Sequence, residues 1–447
     1  MAVSSSEHSA ESPKMLPVLF ASTVGTSIEW YDFFLFNLLS ASVFARLFFP
    51  TFSPVAGTIL AFTTNFVGFA ARPIGGAFFG WFGDRVGRKS TLIVTLLLMG
   101  IATFLMGCMP TYVQIGVWAP ILISVLRFLQ GAGVGGEWGG SVLLSMEYGD
   151  SRRRGFWSSW PQTGVPIGLA LAAIAIIICQ NIFPGDSFLA IGWRIPFFFS
   201  ALLILMGLYI RLRILETPRF ARLKAENRIS RSPLTEVFKH HWREIALTAL
   251  LRSGEQAPFY IFSSYILTYG KGLGIASPTL YTGIIIGSII AFIAMPSFSA
   301  LSDRVGRKRL FMSGVIVMAI AIVPYFLLLN TKIATVVIIG IALSIGLCHA
   351  WLYGIEASLI SEHFGTKLRY TGASLGYQFA SITAGGPAPI IAVALFAAYK
   401  SFVPIAIYMI IMCVISLLAL LGLREYANKE AAADIDAAEA MPVVSNA

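Results

Sequence analysis

Apolar stretches about twenty residues long recur along nearly the whole chain, and the charged residues are swept into the segments between them. A helix of that length crosses the ~30 Å hydrocarbon layer of a bilayer at about 1.5 Å per residue. Twelve stretches are read this way, starting near Val18, Val55, Thr91, Val117, Trp157, Trp193, Ile245, Pro278, Leu310, Ile333, Thr371 and Phe402. Composition excludes the competing classes. Only 12% of the 447 residues are charged and 57% are hydrophobic, whereas a soluble domain carries roughly 25% charge. One soluble core cannot absorb the excess, because such cores stop growing near ~250–300 residues. The surface is therefore solvated by lipid, and the predicted fold is an all-α membrane protein of twelve transmembrane helices. The four cysteines (Cys108, Cys179, Cys348, Cys413) lie in apolar stretches without metal or disulfide spacing, and read as small buried hydrophobes.

Loop charge sets the expected orientation. Arg85, Arg88 and Lys89, then Arg152, Arg153 and Arg154, then the basic central loop, then Arg304, Arg307, Lys308 and Arg309, then Lys367 and Arg369 all fall in alternate loops. The other loops hold scattered single charges such as Arg46, Lys271, Lys332 and Lys400. Basic residues are retained on the cytoplasmic side, so both termini are expected there. The net charge of +10 is thus a topology signal, and no nucleic-acid partner is implied. The expected organisation is a disordered cytoplasmic tail (1–17), a six-helix half (18–215), a cytoplasmic central loop (216–243), a second six-helix half (244–423) and a cytoplasmic tail (424–447).

The two halves repeat a motif. Gly80-x3-Asp84-Arg85-x-Gly87-Arg88-Lys89 follows the second span, and Ser299-x3-Asp303-Arg304-x-Gly306-Arg307-Lys308 follows the eighth, 219 positions on from Asp84 to Asp303. Parallel, pseudo-symmetric halves of this kind build alternating-access carriers with a site between them at mid-membrane. The loop motif resembles the signature of the major facilitator superfamily. Glu29-Trp30-Tyr31-Asp32-Phe33, Arg72-Pro73-Ile74-Gly75-Gly76, Arg127-x2-Gln130-Gly131-x-Gly133-x-Gly135-Gly136-Glu137, Trp193-Arg194-Ile195-Pro196-Phe197 and Gly385-Gly386-Pro387-Ala388-Pro389 narrow the likeness. Together they resemble the metabolite:proton symporter branch, with its shikimate, α-ketoglutarate, citrate and proline/betaine transporters. The resemblance implies proton-driven import of a small polar metabolite across a bacterial-type inner membrane, by a monomer without cofactor or metal. The short tail, lacking heptads, tilts the reading from proline/betaine towards an organic acid. Ser299 stands where the pattern has glycine, which predicts looser packing of the eighth span there.

An ionisable side chain at mid-membrane costs roughly 2.5–3.5 kcal/mol or more unless paired or wet. Glu29, Asp32, Arg72, Arg127, Glu137, Arg252, Glu255 and Glu356 all fall inside spans, so they must face one another or a wet cavity. The candidate substrate and proton residues are Glu29, Tyr31, Asp32, Arg127, Gln130, Glu137, Arg252, Glu255 and Tyr260. Glu29 and Asp32 share a helix face and either anchor the first span to a basic partner or take up the coupled proton. Arg127 either serves coupling, as in proton-linked relatives, or forms a structural bridge to Glu29 or Asp32. Arg252 and Glu255 either neutralise each other or present the arginine to an anionic substrate. His349 reads as a packed or cavity histidine. Gly80, Asp84, Arg85, Gly87, Arg88, Glu147, Asp303, Arg304, Arg307 and Glu362 are assigned to cytoplasmic gating, with static anchoring as the alternative. Efflux by antiport is disfavoured because Gly164-Val-Pro166-Ile-Gly168 lacks the GPxxGG-like pattern. A membrane-embedded enzyme is disfavoured because His8, His240, His241, His349 and His363 form no acid–base or metal spacing. Gly131-x-Gly133-x-x-Gly136 has no βαβ context for a dinucleotide, and reads as close helix packing.

Overall fold

The computed structural model describes residues 15–86, 88–213, 233–365 and 368–425, all helix and connecting turn. The expected tails and most of the central loop lie outside them. Eleven helices are long and apolar enough to cross a membrane. We number them in chain order as α1 (Leu19–Phe48), α2 (Pro54–Phe79), α3 (Ser90–Cys108), α4 (Trp118–Leu143), α5 (Arg154–Ile182), α6 (Gly192–Ile210), α8 (Ser277–Val305), α9 (Arg307–Asn330), α10 (Ala334–Ser361), α11 (Arg369–Tyr399) and α12 (Val403–Gly422). The remaining one, α7 (242–272), runs through Trp242–Leu251, Ser253–Tyr260, Ile261–Tyr265 and Ile266–Gly272. It falls below the others in apolarity because Arg252, Ser253, Glu255 and Gln256 are spent on its inner face, where all four are buried. The fold is that of a twelve-helix membrane bundle, with exposed Leu202, Leu205, Ile293, Ile320, Leu418 and Leu421 on its outer surface.

Helix pairing follows the sequence repeat. The close pairs α2–α4, α1–α5 and α3–α6 recur as α8–α10, α7–α11 and α9–α12, and the halves meet through α5–α8, α5–α10 and α2–α11. Small residues allow the tightest of these seams. A Cβ on Gly131 or Gly75 would strike the backbone of Gly68 or Ala132 respectively, so α2 and α4 touch main chain to main chain. Proline breaks are repaired locally. Pro258 frees the carbonyl of Gly254, which accepts from Cys413 Sγ (3.8 Å) on α12. Wide π turns at Ile261–Tyr265, Ser344–His349 and Ser381–Gly385 rotate the C-half helices locally, a distortion that clusters at functional positions.

Two expectations need correction. Cys108 is exposed, at the end of α3, while the other three cysteines are buried. Ser299 does not loosen α8: it is fully buried, and Gly354 on α10 faces its hydroxyl, the missing side chain there making room for the larger residue.

Candidate functional site

The charged residues read from the sequence converge on the seam between the halves, but their partners differ from the simplest pairings. Asp32 on α1 is buried and accepts from Ser200 Oγ on α6 (2.6 Å). Arg127 on α4 does not pair with it. The Arg127 guanidinium donates to the amide oxygens of Gln130 and of Asn65 on α2, and Asn65 Nδ2 donates to Asn37 Oδ1 (3.0 Å) on α1. Gln130 Nε2 reaches the Asp32 carbonyl (3.2 Å) and Thr103 Oγ1 (2.7 Å). Gln130 thus ties the guanidinium to the α1 main chain at Asp32 and to the Thr103 hydroxyl, which also bonds the Asp32 carboxyl.

Arg72 on α2 lies beside this chain. Its guanidinium centre sits 4.2 Å from the Phe33 ring, 4.6 Å from Phe69 and 5.1 Å from Trp30. Phe33 also meets Arg127, at 4.1 Å, so one ring in the Glu29-to-Phe33 segment touches both cations. Across the seam, Arg72 Nη1 donates to Ser381 Oγ on α11 (3.5 Å), and the Tyr260 hydroxyl of α7 lies against the guanidinium. Among the described residues, neither Arg72 nor Arg127 is paired with a carboxylate. Tyr31 is spent elsewhere, its hydroxyl donating to the Pro196 carbonyl (2.8 Å) to tie α1 to α6. Glu29 and Glu137 line a water-sized cavity of about 10 Å³ together with Gln162, Tyr377 and Gln378.

The C half closes its own charges. Arg252 pairs with Glu356 on α10 and with Glu255 (3.3 Å), donates to the Tyr377 carbonyl (2.6 Å), and lies 3.4 Å from the Tyr377 ring centre. His349 Nε2 meets Glu255 at 2.9 Å, and its ring stacks on Phe259. Arg72, Asn65, Gln256, Ser381, His349 and Glu356 join the site from outside the candidates that the sequence singles out. Arg72, His349 and Glu356 carried a signal, as polar or charged groups inside spans. The neutral ones carried none, because buried amides and hydroxyls are common in any helix bundle.

The bundle is shut at the end that carries the repeated motif. Arg307 clasps Glu362 through Nε and Nη2 (2.6 and 2.7 Å) and reaches Asp303 (2.9 Å). Asp303 in turn accepts from the backbone N–H groups of Gly155 (2.9 Å) and Phe156 (3.0 Å) at the start of α5, in the other half. A carboxylate on a helix N-terminus is favoured by charge and by unsatisfied donors. Trp138 stacks on Tyr377 at 3.8 Å, and the Tyr370 hydroxyl donates to the Gly136 carbonyl (2.8 Å), so α4 and α11 are held together as well. Arg304 is exposed. The side chains of Gly80, Asp84, Arg85, Gly87, Arg88 and Glu147 lie outside the described residues. At the opposite end a cavity of about 510 Å³ opens between α1, α2 and α7, with Arg46 and Lys271 in its wall. Phe34 and Phe259 meet edge to face (5.9 Å) across the seam.

The family model of the Major Facilitator Superfamily matches residues 32–388. The chain is 37% identical over 413 residues to the shikimate transporter of Escherichia coli (strain K12), covering 90% of this chain and 93% of that one. It is 32% identical over 435 residues to the glycine betaine/proline/ectoine/pipecolic acid transporter OusA of Dickeya dadantii (strain 3937), covering 93% and 84%. The partially occluded inward-open structure of the xylose transporter XylE from E. coli superposes with a TM-score of 0.70 at 20% identity, over 93% of this chain and 99% of that one, which speaks to the fold alone. The chain belongs to the Major Facilitator Superfamily, as a multi-pass membrane transporter of the shikimate, metabolite and proline/betaine type, and not an enzyme.

Proposed function

We propose that this protein imports a small organic acid together with protons, by alternating access of two six-helix halves, in the inner membrane of a bacterium with both termini in the cytoplasm. The observation that carries the reading is the pair of buried guanidiniums, Arg72 and Arg127, held by rings and amides rather than by carboxylates. Buried cations without counter-ions are costly, and an anionic cargo would relieve that cost. Arg46 and Lys271 in the wall of the open cavity would draw anions towards it.

Asp32 is the proposed proton carrier. Its carboxyl is buried and reaches Arg127 through two side chains, Thr103 and Gln130, so its protonation changes the field at the cation without breaking a salt bridge. The Asp303–Arg307–Glu362 cluster and its grip on α5 supply the closed cytoplasmic gate, which must release for inward opening. A monoanion moving with one proton carries no net charge, so the pH difference drives it, at about 1.4 kcal/mol or tenfold accumulation per pH unit.

The test is uptake by proteoliposomes of shikimate, α-ketoglutarate, benzoate and betaine under an imposed pH gradient. Accumulation that vanishes with a protonophore, and vanishes in Asp32→Asn, is expected. Accumulation untouched by the protonophore would reject proton coupling. Similarity to OusA favours a second reading, a zwitterionic osmolyte as cargo, and accumulation of betaine but none of the three acids would select it.

A further inference from the structure

The cluster of three fully buried arginines at the seam allows an internal comparison with Arg307. In Arg307, the edge of the guanidinium formed by Nε and Nη2 holds both oxygens of Glu362, at 2.6 and 2.7 Å. In Arg252 the same two nitrogens go to Glu356 and Glu255. Arg72 has the same edge, 0% exposed, and among the described residues neither its Nε nor its Nη2 completes a hydrogen bond of good geometry, although the Tyr260 hydroxyl lies against the guanidinium. Trp30, Phe33 and Phe69 pack around the guanidinium, and Nη1 is turned to Ser381. What remains is a two-pronged donor edge of the shape that binds a carboxylate side-on.

We infer that the Nε/Nη2 edge of Arg72 is the clasp for the carboxylate of the transported molecule, and that Ser381 and Gln256 are the C half's share of the same site. Ser381 Oγ takes Arg72 Nη1 from one half and Gln256 Nε2 (3.4 Å) from the other. Gln256 Oε1, buried, has no donor, so it is free to accept from a hydroxyl on the cargo. A hydroxylated carboxylate of this kind would bridge α2 to α7 and α11, so that its binding reports to both halves at once. The inference rests on the reading of the protein as an organic-acid carrier, and names where the acid is held. It assigns Arg72 to cargo and leaves Arg127, whose two Nη groups are taken by Asn65 and Gln130, to coupling.

Calorimetric titration of the full-length protein in detergent with shikimate, α-ketoglutarate, benzoate and betaine identifies the tightest probe, which is then compared with its methyl ester. Wild type is expected to prefer the acid by about tenfold to hundredfold, the usual range for losing a charge-assisted contact. Arg72→Lys, which keeps the charge and loses the fork, is expected to lose most of that preference while binding the ester as before. Ser381→Ala is expected to weaken the acid by about two- to tenfold. Equal acid and ester affinity in wild type overturns the clasp. So does an Arg72→Lys protein with unchanged preference. Should Arg72→Lys fail to fold by melting temperature, the ester comparison and Ser381→Ala decide, and an unaltered Ser381→Ala affinity then counts against the bridge. If none of the four probes binds wild type, the organic-acid reading falls and the clasp with it. If one binds and only the variants behave as wild type, the clasp alone falls.

Discussion

The two halves hold their arginines in opposite ways. In the C half, Arg252 sits between Glu255 and Glu356, with His349 on the second oxygen of Glu255. In the N half, Arg72 and Arg127 rest on aromatic rings and amides, and Asp32 is held apart by Ser200. Paired charges in a low-dielectric interior are rigid, since removing either member strands the other. Unmatched cations held by neutral groups are ready for an outside anion. On the proposed function, the C half provides the more rigid frame, and the N half the charged groups on which ligand and proton would act.

Exchanging one arginine at a time should separate these roles. Arg252→Gln leaves two buried carboxylates without their guanidinium, and should cost about 3–5 kcal/mol, read as a large fall in melting temperature and in yield of folded protein. An unchanged melting temperature would erase the distinction between the halves. Arg127→Ala leaves no carboxylate stranded. Its stability loss should be the smaller one, about 1–3 kcal/mol from the unmatched oxygens of Asn65 and Gln130, while accumulation in proteoliposomes is abolished. The helix seams sharpen the comparison further. Gly131→Ala drives a methyl group into the Gly68 main chain, whereas a Cβ on the C-half Gly287 lies 3.0 Å or more from Ile345 and Ala342. Gly131→Ala should cost about 1–3 kcal/mol and Gly287→Ala less, by thermal unfolding of the two variants side by side.

Much of this architecture can be read from the chain before any coordinates, because span length, loop charge and a repeated ten-residue motif are one-dimensional signals. The resemblance carried by Asp32-Phe33, Arg127-x2-Gln130 and Gly385-Gly386-Pro387 holds for the family. Pairing is a different matter. Arg127 could have met Glu29 or Asp32 by charge alone, and it meets Asn65, a neutral residue that no charge pattern singles out. Arg72 is visible as a charge inside a span, but its free edge depends on where Ser381 and three rings sit around it. Of the Arg252–Glu255 alternatives, mutual neutralisation is what the geometry supports, with Glu356 added from a helix a hundred residues away. The seventh span shows the same trade between signals: its polar inner face lowers the apolarity by which spans are recognised.

The most direct test of coupled passage through the N half is to count protons with the cargo. Proteoliposomes in weakly buffered medium, without any imposed gradient, receive the tightest-binding of the four probes while the external pH is recorded. Wild-type protein should draw protons inward with the acid and make the medium more alkaline, in fixed proportion to the acid taken up, and Asp32→Asn should show no such change. Uptake of the acid by wild type with no movement of external pH would contradict proton-coupled import.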